Sequence, residues 1–134
     1  MDVLYFEVGK YPRAIQVEEL EEMEQLVNGC IATSYPFEDP AVLVVNDDGF
    51  DLGLPFNRIV NPYPIVGNFF IAGIVDTDFA SLPPALIKKF SEQFHYPEIP
   101  VRDPSARYGI FGITFSETMY AKITGLPPSN LPER

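Results

Sequence analysis

A chain of 134 residues that is 46% hydrophobic holds enough apolar material for one buried core and is too apolar to be disordered. Its formal net charge of −10 argues against neutralising nucleic-acid phosphates or settling on an anionic membrane, and suits a soluble protein or one with a basic partner. The single cysteine, Cys30, leaves no internal disulfide and favours a reducing compartment, while 14 prolines fix turns and keep the elements short.

In chain order, Val3 to Val8 is rich in β-branched and aromatic residues and predicts a strand. Gly9-Lys10-Tyr11-Pro12 turns it into the alternating stretch Arg13 to Val17, and the two form a predicted hairpin. Glu18 to Asn28 predicts the clearest helix, with Leu20, Met23, Leu26 and Val27 on one face. Acids crowd its first turns, and Asn28-Gly29 supplies a left-handed stop. Cys30 to Tyr35 predicts a strand, and Tyr35 to Pro40 a rigid aromatic loop. Ala41 to Val45 is unbroken and apolar, as a strand buried on both faces requires. Asn46-Asp47-Asp48-Gly49 predicts a hairpin turn, with Phe50-Asp51-Leu52 as the return.

The middle of the chain, Gly53-Leu54-Pro55-Phe56-Asn57-Arg58, joins a turn, two apolar anchors and a polar pair. Asn57 to Gly67 then reads as loop, with Pro62 and Pro64. Asn68 to Val75 predicts a second core strand, and Asp76-Thr77-Asp78 a turn. Asp78 or Ser81 is placed to cap a helix that carries Pro83 and Pro84 in its first turn and runs to about Phe94. Residues 95–105 read as a Pro-rich linker, Tyr108 to Phe115 as a strand, and Ser116 to Thr124 as a short helix capped by Ser116 and stopped by Gly125. Leu126 to Arg134 is Pro-rich and is expected to fray. Short strands with two to three separate helices predict the α+β class: a mainly antiparallel sheet with the helices packed on one face. Residues 1–94 form the expected core domain and 95–134 a strap packed on it. The acidity belongs to the first part, where 15 acids face 5 bases; the strap holds 4 of each.

The residues that carry chemistry are sparse. His95 is the sole histidine and reads as an exposed residue past a helix end. Cys30 has no basic neighbour in sequence to make it a thiolate, and reads as a small buried hydrophobe. Asp47, Asp48 and Asp51 lack the alternation of a calcium loop, and Arg58 stands where its closing glutamate is required. Asp76 and Asp78 read as a capping turn. No catalytic set, metal site or cofactor is expected. Arg58, a lone base in an acidic region, has two readings: it pairs with Glu38 or Asp39 and ties two loops, or with Asn57 it clamps a carboxylate or phosphate. Glu18, Glu19, Glu21, Glu22 and Glu24 form either a solvated helix face or a line of carboxylates that mimics DNA phosphates. The first seven residues lack the marks of a signal peptide, and no apolar run reaches the roughly 18 residues of a membrane span. A cytoplasmic location is expected; the oligomeric state is left open.

Three motifs in order, Tyr35-Pro36-Phe37-Glu38-Asp39-Pro40, Gly53 to Arg58, and Gly67-Asn68-Phe69-Phe70-Ile71-Ala72-Gly73, resemble the DUF3846 family. Gly9-Lys10-Tyr11-Pro12 and Asp78-Phe79-Ala80-Ser81-Leu82 fit the same pattern, so the resemblance covers about residues 1–94. It implies a small bacterial protein of conjugative elements, plasmids or phages, in gut Firmicutes in particular. The family has no assigned activity, so it carries over no catalytic residue. With the acidic surface, it leads to three expectations. The first is a non-enzymatic accessory factor of a mobile element that binds another protein, a basic partner being suited by charge. The second is a DNA-mimicking anti-restriction or anti-defence protein. The third is a small-molecule or enzymatic site at Asn57 and Arg58.

Overall fold

The computed structural model describes residues 1–126, so all of the terminal segment expected to fray except Leu126 lies outside the described residues. The main sheet is antiparallel. It comprises β1 (Asp2–Phe6), β2 (Arg13–Gln16), β3 (Ile31–Ser34), β4 (Ala41–Asn46) and β7 (Phe69–Val75), in the order β2-β1-β7-β4-β3. A short strand, β8 (Asp78–Ala80), pairs with the far end of β7. Two small hairpins stand apart: β5 (Phe56–Val60) with β6 (Tyr63–Val66), and β9 (Glu98–Arg102) with β10 (Ile110–Thr114). The helices are α1 (Leu20–Val27), α2 (Pro84–Gln93) and α3 (Glu117–Thr124).

The apolar runs of β1, β4 and β7 build two cores because successive strand residues point to opposite faces. Leu4, Phe6, Leu43, Phe69 and Ile71 face one side, where Phe90 of α2, the following Phe94, and Val60 and Ile65 from β5 and β6 cover them. Val3, Tyr5, Val42, Val44, Phe70 and Ala72 face the other, under Met23 and Val27 of α1. The α+β class and the mainly antiparallel pairing are therefore as expected, but α1 and α2 lie on opposite faces rather than one. A central strand that is apolar on both sides needs a cover on each.

Four local expectations are corrected. Asn46 to Gly49 is not a hairpin turn: the backbone carries on through turns to Gly53 and leaves the sheet for β5. The segment read as loop after Asn57 is the β5–β6 hairpin, turning at Asn61–Pro62, whose peptide bond is cis. The linker after His95 contains β9. Neither Asp78 nor Ser81 caps α2, whose N-cap is Pro83; the Ser81 hydroxyl instead accepts the Asp2 N–H at 2.8 Å.

Residues 96–126 lie against the rest through specific contacts. The Ile59 N–H donates to the Glu98 carboxylate, and the Tyr11 N–H to Glu117. Gly9 has φ +79°, and a Cβ there would sit 2.5 Å from the Tyr120 ring. The turn after β1 thus requires glycine twice over: for its left-handed backbone and for the approach of α3.

Candidate functional site

The polar pair at the centre of the chain is buried. A register shift between Phe56 and Arg58 is a bulge in β5, and it turns two consecutive side chains inward where a regular strand would turn one. Asn57 is 1% exposed and Arg58 0%. Arg58 donates from Nε to the Phe94 carbonyl at 2.8 Å, from Nη1 to Asn57 Oδ1 at 2.7 Å, and from Nη2 to the carbonyls of Lys10 at 2.6 Å and His95 at 3.2 Å. Its guanidinium also lies over the Phe6 ring, 5.2 Å from the centroid. Asn57 Nδ2 donates to the carbonyls of Phe6 and Gly67. Phe94 is the C-cap of α2, so the cation meets the negative end of that helix.

The pair therefore joins β1, the Gly9 turn, the Gly67 turn and the end of α2. Burial lowers the Arg58 pKa to about 10, against the fields of Glu98, Tyr120 and Glu117. It stays charged at neutral pH. Glu98, which the sequence did not single out, is pushed up by burial, while the Ile59 N–H and Arg58 pull it down.

The expected partners of Arg58 are not its partners. Asp39 pairs with Lys89 of α2 at 2.7 Å, and Glu38 is exposed beside it. The candidate residues thus fall into two places: Asn57 and Arg58 lie inside the fold, and Glu38 and Asp39 on a surface loop. The ligand-clamp reading loses its main donor, because the Arg58 side chain is wholly buried among protein acceptors.

The acidic helix keeps its charge outward, with Glu18 and Glu22 engaged locally. The Glu22 carboxylate accepts the N–H groups of Glu18 and Glu19, which holds it below the usual carboxylate range, and Glu18 pairs with the amino terminus at 2.8 Å. Glu19 and Glu21 are exposed and Glu24 is half-buried. His95 is half-buried and stacks on Tyr11 with ring centroids 4.3 Å apart. Cys30 is exposed, not buried. Among the described residues no cluster of three His, Cys, Asp or Glu side chains is placed to hold a metal, and no helix is long and apolar enough to cross a membrane.

The surface also carries an apolar groove of about 480 Å³ that the sequence reading missed. Its floor is Leu43 and Val45 of β4 with Ser34 of β3; Pro64 and Ile65 of β6 form one wall. Tyr35, Phe50, Tyr63 and Tyr108 rim it, and all four are exposed, Phe50 by 71% and Tyr35 by 61%. The groove exists because α2 and the β5–β6 hairpin cover the β1–β7 side of their face and leave its β3–β4 side open. Its rim comes from four separate loops and strands, so no single motif announces it. The available signal was Phe50, a large apolar residue in a run of Asp and Gly.

An α+β domain with a buried arginine bulge and an open aromatic groove is the class that fold and site define. Residues 1–95 match the domain of unknown function DUF3846, and the chain belongs to that family. No curated protein and no solved structure matches the chain.

Proposed function

We propose that this protein is a non-enzymatic cytoplasmic accessory factor of a mobile genetic element, and that it acts by holding another protein in its aromatic groove. The observation that carries this reading is the rim of four exposed aromatic side chains around an apolar floor. Tyrosine and phenylalanine supply large contact areas at low entropic cost, which is why they are enriched at interfaces. An open apolar concavity of this size also departs from the scattered single hydrophobes of an ordinary surface. The polar pair offered as a small-ligand clamp is instead engaged in the fold, which weighs against a catalytic reading.

The test is site-specific cross-linking in the bacterium that carries the gene. A photoreactive phenylalanine analogue replaces Phe50, Tyr63 or, as a control, the exposed Asp76. A discrete protein adduct from positions 50 and 63 and none from 76 is the expected result. Equal adducts at all three positions, or no adduct at any, would sink the reading.

A further inference from the structure

The groove lies beside a sheet edge that pairs with no further strand among the described residues. β3 ends the main sheet, paired on one side to β4. Sheet edges are normally blunted by charge, proline or cover. The opposite edge, β2, carries Arg13, which is bound to Glu7. β3 and its flanks, Cys30-Ile31-Ala32-Thr33-Ser34-Tyr35, contain neither a charge nor a proline.

The surroundings are predominantly acidic, although Lys89 pairs with Asp39 and the Arg107 guanidinium lies over the ring of the rim residue Tyr108. Residues 30–56 contain five acids (Glu38, Asp39, Asp47, Asp48 and Asp51) and no Lys or Arg. Asp47, Asp48 and Asp51 share the turn that presents Phe50, and Glu38 follows the groove residue Pro36 by two. The other face of the sheet is covered by α1, which packs beside β3 and β4. Residues 18–27 hold Glu18, Glu19, Glu21, Glu22 and Glu24, again without Lys or Arg.

We infer that the β3 edge and the groove together take an extended, basic segment of a partner protein, added to the sheet as a further strand. This rests on the binding reading above and names the partner's chemistry. The backbone of such a segment hydrogen-bonds to the outer edge of β3, and its alternate side chains point to opposite faces. One set enters the groove, over Leu43 and Val45 and between the aromatic rims, and must be apolar. The other set faces the α1 side, where carboxylates predominate, and is favoured as Lys or Arg. The pattern recognised is therefore alternation of apolar and basic residues over about four to six positions, the length of an ordinary strand. Opposite charges add attraction that salt screens.

The test uses a phage-displayed library of random linear 12-residue peptides selected on the purified full-length protein, with a synthetic alternating Val–Lys octapeptide and an alternating Val–Glu octapeptide as fixed probes. Selected peptides should alternate apolar with basic residues, and Val–Lys should bind while Val–Glu does not. Affinity should fall about tenfold or more between low salt and a Debye length of a few Å. Peptide binding should slow amide exchange at residues 31–35, and Phe50→Ser should weaken it at least tenfold while unfolding at the same denaturant concentration as the parent. Selected peptides that are acidic or show helical spacing, or unchanged exchange at residues 31–35, would overturn the strand-addition proposal and leave the binding reading standing. Failure to select any peptide, together with no cross-linked adduct from Phe50 or Tyr63, removes both.

Discussion

The Asn57–Arg58 bulge and the aromatic groove invert the usual division of labour. The bulge places a polar pair, Asn57 and Arg58, at 1% exposure or less, and the groove places Phe50 and three tyrosines at the surface. Each is explained by what surrounds it. Arg58 is tolerated inside because three backbone carbonyls and the Asn57 amide oxygen accept its donors. The aromatics remain outside because no element of the described chain covers the β3–β4 side of their face. A polar residue that is fully satisfied internally reads as architecture; an apolar group left without a cover is the observation on which the binding proposal rests.

The comparison is broken most forcefully at Arg58. Arg58→Ala leaves Phe94, His95 and Lys10 carbonyls without their donor and opens a cavity beneath Phe6. A loss of about 3–5 kcal/mol is expected, since each buried acceptor left without its donor costs about 1–3 kcal/mol and losing the buried cation's own desolvation cost offsets part of that sum. Arg58→Lys should recover little, since an ammonium cannot span the fork of acceptors. Urea unfolding checks both. A loss under about 1 kcal/mol in Arg58→Ala would return Arg58 to the ligand-clamp reading.

Next in size is Gly9→Ala. The left-handed backbone alone costs about 1–2 kcal/mol for a residue with a Cβ, and contact with Tyr120 adds to it. The second effect should be local: amide exchange in α3 accelerates more than in β7. Uniform acceleration across both elements would show that α3 and the sheet open together.

How legible was this in the sequence? The apolar runs Val3 to Phe6, Ala41 to Val45 and Phe69 to Val75 declared their strands, because period-two burial on both faces leaves nothing else for them to be. Glu18 to Asn28 declared its helix by spacing and by the Asn28 stop, which has φ 63°. The β5–β6 hairpin was hidden because Pro62 and Pro64 read as loop, although proline at a turn and in a two-stranded edge removes no essential ladder bond. The bulge was invisible: whether Arg58 faces in or out depends on one extra residue of register, and composition does not record register. The groove depends on where β6 fails to reach, a tertiary fact with no local signature.

A smaller effect separates Glu98 from its neighbours. Its pKa is raised by burial, so its ionised form is disfavoured in the folded state. Between the unfolded and folded pKa values the folded chain binds the extra proton, so this group makes stability fall as pH rises through that window, and the penalty persists above it. Glu98→Gln keeps an acceptor for the Ile59 N–H and removes the charge. Its unfolding free energy should therefore lack this decline across the mildly acid range, and exceed the parent's at neutral pH. An identical pH profile in the two proteins would show that Arg58 balances the burial of Glu98.

The smallest expected change in stability belongs to the groove, and it carries the most information. Phe50 is exposed and lies outside both cores. Phe50→Ser should alter the unfolding free energy by no more than about 0.5 kcal/mol, as for a surface position without special contacts. Under the binding proposal, a side chain that adds almost nothing to the fold, yet stands apolar amid Asp47, Asp48 and Asp51, is there to touch the partner. The measurement pairs urea unfolding with the yield of cross-linked adduct from a photoreactive residue at Tyr63. Unchanged stability with loss of the adduct assigns Phe50 to the interface. A stability loss above about 1 kcal/mol would instead make the aromatic rim part of the fold, and the contrast with the Arg58 bulge would disappear.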